Sequence, residues 1–397
     1  MSKVRDQYEA FPYPERNPKD EKKRLIVGSP SLPQEIDHFV FGGQRDWSVP
    51  LRILVAGGGT GDGLTQLTAL LTQYGKAYDA TYIDLSKASR IISEERAKVR
   101  GLKNIEFVTG SLLDAASHGP FDYIDCCGVL HHLPDPDSGF KALRDALAPD
   151  GGMGCMVYAP YGRSGVYPLQ EAFGELTEGM TPKDRLSYAR RAFDKLPDGH
   201  PIKCNPNLND HKSGDAGFYD LLLHSQDRAY TVAELSETLN RTGWDLAGFT
   251  MPALYDLQRF CDAPDSLTPL ASMALAEKLN GTIGVHTGYA VASDTPRKPA
   301  SGRNLSQIPH LKGVQASGLA KAIAAGQTPT INMGGESVKL RLPREAAPVI
   351  AAINGRRTLS DIAKQTGADP IGFGAVWSRI ETALVPWGVL LYSNVAL

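Results

Sequence analysis

Leu51-Arg-Ile-Leu-Val-Ala-Gly57-Gly58-Gly59-Thr60-Gly61-Asp62-Gly63 begins as an apolar run with β-branched members and then breaks into glycines. It resumes as Leu64-Thr-Gln-Leu67-Thr-Ala-Leu70-Leu71, with leucines at helical spacing. This reads as strand, tight turn and helix, the opening unit of a doubly wound α/β sheet. Glycines suit the turn because the backbone must bend sharply and let a ligand approach with no Cβ in the way. The helix behind it aims free N–H groups and a positive dipole end at the same spot. Gly57 and Gly59 fit the first two positions of a dinucleotide fingerprint, but its third position falls on Asp62. The run fits Gly-x-Gly-x-Gly at Gly57, Gly59 and Gly61 instead.

The periodicity continues in the same style. Residues 78–86 predict a second strand ending in Asp84 and Leu85, with Asp84 lying 23 residues after Gly61. Residues 104–114 predict a third strand with its exit turn at Gly110, Ser111 and Leu112. Residues 121–133 predict a fourth, Phe121-Asp122 running through Cys127 to Gly128-Val129-Leu130-His131-His132-Leu133. A helix over 137–149 stops at Pro149-Asp150-Gly151-Gly152, and Met153–Tyr158 is the fifth strand, with Tyr161 in its exit loop. Thr231-Val-Ala-Glu234 is a capping box. Trp244–Thr250 and Thr282–Ser293 close the pattern as strands, with a helix at Ala271–Leu279 between them.

Two of these motifs carry a resemblance. The glycine spacing resembles motif I of the class I S-adenosylmethionine-dependent methyltransferases. Gly-Val-Leu-His-His-Leu after a Phe-Asp strand resembles their motif IV. The resemblance covers roughly residues 50 to 293 and implies a seven-stranded doubly wound sheet with S-adenosylmethionine as cofactor. It implies cofactor contacts from Ala56, Gly57, Gly58, Gly59, Gly61, Asp84, Leu85, Ser111, Leu112, Gly128 and Val129. Asp84 either accepts the ribose hydroxyls or only caps the next helix, a task Ser86 can also perform. Two departures stand out. The acid usual two residues before the first glycine of motif I is Val55 here, with Asp62 as a possible replacement. The acid usual beside the adenine is Ser111, with Asp114 or a backbone carbonyl as the stand-in.

The flanks define the rest of the organisation. Residues 1–50 read as an N-terminal strap or lid. Tyr8-Glu-Ala-Phe11-Pro12-Tyr13-Pro14 is excluded from a helix interior by its prolines. Its Tyr-x-x-x-Pro-Tyr-Pro signature resembles the lead-in of some bacterial class I methyltransferases. Residues 162–230 interrupt the α/β pattern with helices at Leu169–Leu176 and Lys183–Leu196, in the place where the family builds a substrate cover. The expected substrate-binding residues are Tyr8, Tyr13, His132, Tyr158, Tyr161 and His224, with His132 alternatively only positioning its loop. His131 and Tyr13 are the candidates to deprotonate an acceptor. His200, Cys204, Asp210 and His211 match no zinc spacing, so no metal is expected.

Residues 294–330, with Pro296, Pro299 and Pro309, read as a linker. Residues 331–397 form a separate small α+β unit resembling a winged helix, and weakly the C-terminal modules of some bacterial protein-lysine methyltransferases. From residue 312 onward there are nine Lys or Arg against five Asp or Glu. Nucleic-acid contact is compatible with that balance. The arginines do not align on one predicted recognition helix, which favours protein docking or dimerisation instead.

Composition bounds the reading. The 397 residues are 42% hydrophobic and 22% charged with a formal charge of −2, an ordinary globular balance that gives no sign of a general nucleic-acid or membrane binder. No apolar run approaches the roughly 20 residues of a membrane span, and the first residues lack a signal-peptide core, so a cytoplasmic location is expected. Five cysteines, two of them adjacent, suggest no disulfide framework. The expected activity is methyl transfer to a small molecule or protein side chain. The alternative is a non-catalytic sensor or scaffold that binds S-adenosylmethionine.

Overall fold

A computed structural model describes residues 3–28, 30–367 and 369–397. Residues 1–2 and 29 of the strap and residue 368 of the C-terminal unit lie outside the described residues. The first five strands of the main sheet are β1 (Leu51–Ala56), β2 (Tyr78–Asp84), β3 (Ile105–Thr109), β4 (Phe121–Cys127) and β5 (Leu147–Tyr158). Strands β6 (Trp244–Phe249) and β7 (Val285–Ala292) complete it. The order is β3-β2-β1-β4-β5-β7-β6, parallel except for β7, which runs antiparallel to both neighbours. Chain order reverses between β1 and β4, and the crevice at the carboxyl ends beside such a reversal is where open α/β sheets hold ligands.

Strand alternation divides the core. Leu54 and Ala56 of β1 and Ile124 and Cys126 of β4 face one side, under the helices Pro136–Asp145 and Val232–Arg241. Ile53 and Val55 face the other side with Tyr123, packed with Leu64 and Leu67 of helix Asp62–Gln73. The glycine turn has the geometry its sequence demands. Gly57, Gly59 and Gly61 have φ of 65°, 52° and 93°, a region that L side chains enter only with strain.

The strap differs from its sequence reading. Lys3–Ala10 is a helix that includes Tyr8 and stops just before the prolines. The prolines end the helix rather than forbid it, because their restriction reaches only the preceding residue. A second helix, Pro33–Val40, has all eight residues buried.

The insertion has its own apolar core, with Val166, Phe173, Leu186, Phe218 and Leu222 among its members. The passage read as a linker is structured. It holds β8 (Ile308–Leu311) and the helix Ala316–Ala324, whose Leu319 and Ile323 join the C-terminal core with Ile350, Ile362, Trp377 and Ile380. Its prolines sit outside that helix, so they interrupt no regular hydrogen bonding there. Strands β9 (Thr330–Met333) and β10 (Glu336–Lys339) form a hairpin, which precedes the three helices of the unit rather than following them. The last strand, β11 (Leu390–Ser393), pairs antiparallel with β8.

Candidate active site

A cavity of about 740 Å³ lies over the carboxyl ends of β1, β2 and β4, within the size range of small-molecule sites. Its floor is the glycine turn. A Cβ on Gly57 would stand 2.6 Å from Val129, and one on Gly59 would stand 2.8 Å from the Tyr13 carbonyl oxygen. Only glycine leaves the space between this turn and the strap open.

Asp84 ends β2 at the cavity wall. Its carboxylate accepts the Gly59 N–H at 2.8 Å and the Ser86 N–H at 2.7 Å. Burial pushes its carboxyl up, while these two N–H groups pull it down. Each oxygen keeps a further lone pair, so the residue both fixes the turn and can receive hydroxyls. Capping of the next helix falls to Ser86, whose side chain accepts from Ser89 N–H. Leu85, Ser111, Leu112, Gly128 and Val129 also line the cavity, as does Gly58. Ser111 Oγ accepts the Leu113 N–H at 3.2 Å, so its hydroxyl already caps a turn.

Three expectations at this end are corrected. Ala56 and Gly61 are not on the cavity wall: Ala56 points into the core, and Gly61 lies against Ser93. Asp114 is exposed and off the wall, because the turn it sits in projects outward. Asp62 cannot replace the missing acid with a free charge. Arg16 grips it bidentately at 2.6 and 2.9 Å, and Arg96 Nη1 donates to it at 2.6 Å. The fully buried Arg96 also pairs with Glu21 at 2.7 Å, tying the strap to the turn. Together the two arginines hold the Asp62 carboxyl below its ordinary value despite burial.

The opposite end is built from side chains of distant segments. Asp220, from the helix Gly214–Leu222 of the insertion, lines the cavity. Tyr8 donates to its Oδ1 at 3.0 Å and Tyr158 to its Oδ2 at 3.3 Å. Burial pushes the Asp220 carboxyl up to about 7, with the Tyr8 hydrogen bond opposing. His224 Nδ1 accepts the Gln226 N–H at 3.1 Å, so its Nε2 carries the proton and donates to Tyr8 Oη at 3.2 Å. His132 Nδ1 donates to the Gln226 carbonyl at 2.8 Å, which leaves a lone pair on Nε2. The His132 and His224 rings stack at 3.7 Å. Arg163 lies 3.5 Å over the Tyr158 ring and pairs with the buried Asp227 at 3.3 Å.

Tyr8, Tyr13, His132 and Tyr158 thus line the cavity, as expected for substrate contacts. His224 stands behind Tyr8, and Tyr161 is off the wall. The base roles expected for Tyr13 and His131 do not fit the geometry. Burial and the nearby Asp220 push the Tyr13 phenol further up, so it stays protonated. His131 is fully buried behind Tyr158, and neither of its ring nitrogens has a hydrogen-bond partner among the described residues. Its strand-exit position is right, but the turn Leu130–His132 sends its ring inward and that of His132 to the cavity.

His132, Asp220 and His224 also gather their ligand-type atoms within 4.8 Å, as do His131, His132 and Asp227. Neither group is the one weighed from sequence. In the first, the proton on His224 Nε2 and the backbone bond to Nδ1 occupy both ring nitrogens, so the cluster is wired as a hydrogen-bond chain. Asp220, Arg163, Asp125 and Gln226 were missed by the sequence reading. For Asp220 and Asp125 the signal existed: each is a lone acid inside an apolar run.

Residues 54–153 match the model of a methyltransferase domain family. The structure of PKMT2 from Rickettsia typhi superposes with a TM-score of 0.62 at 15% identity, covering 94% of this chain and 77% of that one. The fold is that of a class I S-adenosylmethionine-dependent methyltransferase. PKMT2 in complex with AdoHcy superposes on the same fold with a TM-score of 0.59 at 14% identity, at the same coverage. An uncharacterized protein of Synechococcus is 32% identical over 225 residues, 54% of this chain and 52% of its own length. The chain therefore spans about half the length of that curated relative. The methyltransferase fold fits the family's cofactor here on the cavity's own terms: a cradle that only glycine leaves open, and a carboxylate at the tip of β2. No helix among the described residues is long and apolar enough to cross a membrane.

Proposed function

We propose that the protein transfers a methyl group from S-adenosylmethionine to an ionisable N–H or O–H acceptor held between Tyr8, Tyr13, Tyr158 and Asp220. The observation that carries this reading is the single cavity that joins the glycine cradle to a buried carboxyl with a value of about 7. Bound there, S-adenosylmethionine supplies a methyl carbon made electrophilic by a sulfonium. Gly57 to Gly59 admit the cofactor, Asp84 receives its ribose hydroxyls, and Ser111 and Leu112 flank its base. Asp220, ionised near neutral pH, takes the acceptor's proton. Tyr8 and Tyr158 hold its two oxygens in place, and the His132 lone pair offers a second acceptor on the same wall. The contribution of this chain is alignment and proton removal.

The three tyrosines and the carboxyl suit a small molecule or an extended side chain entering between strap and insertion. The test is methyl-labelled S-adenosylmethionine incubated with the protein and a lysate fractionated by size. Label should appear in one fraction with the native chain and be absent with Asp220→Asn. Saturable cofactor binding without any transfer would instead make the protein a sensor or scaffold.

A further inference from the structure

In the methyltransferases this sequence resembles, an acid two residues before the first glycine serves the methionine part of the cofactor, and here that residue is Val55. Negative charge is nonetheless present at the same level of the sheet. In the parallel pairing of β1 with β4, Val55 stands directly beside Asp125. Both residues line the cavity. They share a sheet face, because Ile53, Val55 and Tyr123 pack on one side while Leu54, Ile124 and Cys126 pack on the other. Adjacent strands lie about 4.8 Å apart, so the Asp125 carboxyl is displaced from the usual position by one strand spacing.

We propose that Asp125 supplies the counter-charge for the α-ammonium of the cofactor's methionine moiety, an acid moved from β1 to its neighbour β4. This rests on the reading that the cavity holds S-adenosylmethionine. Asp125 is only 3% exposed and lies between Ile124 and Cys126, both fully buried. A charge is retained in such surroundings where it is both paired and hydrogen-bonded, and the α-ammonium would supply the pair. Ser31 of the strap donates to its carboxylate and fixes its rotamer. The other acids of the wall have different employment. Asp62 is gripped by Arg16 and Arg96, Asp84 at the end of β2 accepts the Gly59 N–H of the glycine turn, and Asp210 and Asp220 belong to the insertion, Asp220 at the acceptor end. The cavity thus keeps an acid at the level of Val55, on β4 instead of β1.

The test compares two ligands with uncharged sulfur. S-adenosylhomocysteine carries the α-ammonium, and 5′-methylthioadenosine lacks the amino-acid portion. Calorimetry on the full chain should show Asp125→Asn weakening S-adenosylhomocysteine by roughly 10- to 100-fold, the loss expected for one charged hydrogen bond. Methylthioadenosine should change by less than about twofold, since it has no group to lose that bond. The exchange Val55→Asp with Asp125→Val should recover most of the affinity, and it carries the test should Asp125→Asn alone not fold. Equal loss for both ligands, no loss for either, or no recovery in the exchange would overturn the proposal. A native chain that binds neither ligand would overturn the cofactor reading itself.

Discussion

The two ends of the cavity are built by different means. The cofactor end is backbone: a turn of glycines, a strand tip, and a carboxylate whose first task is to hold two N–H groups. The acceptor end is side chain: Tyr8 from the strap, Tyr158 from the end of β5 and Asp220 from the insertion meet across more than 200 residues of sequence. A site made of backbone turns is specified by contiguous residues. It tolerates variation in side chains so long as the glycines remain. A site made of converging side chains depends on every segment that delivers one, and a single atom changes its chemistry.

That contrast can be broken experimentally. The largest effect is expected from Asp220→Asn, which should lower kcat by roughly 10²–10⁴-fold, the usual worth of a positioned base. The dissociation constant of S-adenosylmethionine should stay unchanged, and calorimetry beside initial rates separates the two. Because the base works ionised, kcat of the native chain should rise with pH through about 7 and then level off, a step the Asn variant lacks. A variant that loses binding instead of rate would erase the distinction between the ends.

Arg96→Met should cost about 3 kcal/mol of stability in urea denaturation, because it removes the buried cation that Glu21 and Asp62 share and leaves Glu21 only Arg100 and Asp62 only Arg16. An unchanged midpoint would mean that the strap is not anchored through this ion network. Gly59→Val should weaken S-adenosylmethionine by roughly 100-fold, or about 2.7 kcal/mol, through its positive φ and the approach of the Tyr13 carbonyl. The smallest effect is expected from His131→Phe, with kcat within about twofold of native. Replacing a buried polar ring that has no hydrogen-bond partner among the described residues by an apolar one of similar shape is nearly neutral. A large loss there would move His131 back into the site.

The same contrast governs what the sequence discloses. Gly57, Gly59 and Asp84 were readable because strand, turn and helix are local patterns whose chemistry follows from spacing. Arg163 was not, since its meaning depends on which segments pack together, and no periodicity encodes that; Asp220 showed only as a lone acid in an apolar run, with nothing local to say what it faces. His131 shows the boundary sharply. The motif placed a histidine pair at the strand exit correctly, yet only the path of a three-residue turn decides which ring reaches the cavity. The linker reading failed for a similar reason. Prolines mark where regular structure pauses, but Leu319 and Ile323 are buried by a core that later residues complete.

The helix Pro33–Val40 bears on how far this molecule is modular. Its eight residues are all buried, with Phe39 stacked on Tyr289 of the main sheet on one side. On the other side, His38 Nδ1 accepts the Tyr392 N–H and Asp37 accepts from Ser393 and Asn394 of the last strand region. Glu35 is paired with Lys312. Excision of the C-terminal unit would therefore strip one side of a helix that has no solvent-adapted face, take the Ser393 and Asn394 donors from Asp37, which keeps Arg45 and Trp47, and remove Lys312 from Glu35. The main sheet and the C-terminal unit share one wall, and the strap that supplies the wall also supplies Tyr8 and Tyr13. Inheritance or engineering of either half as a separate part must carry that segment along.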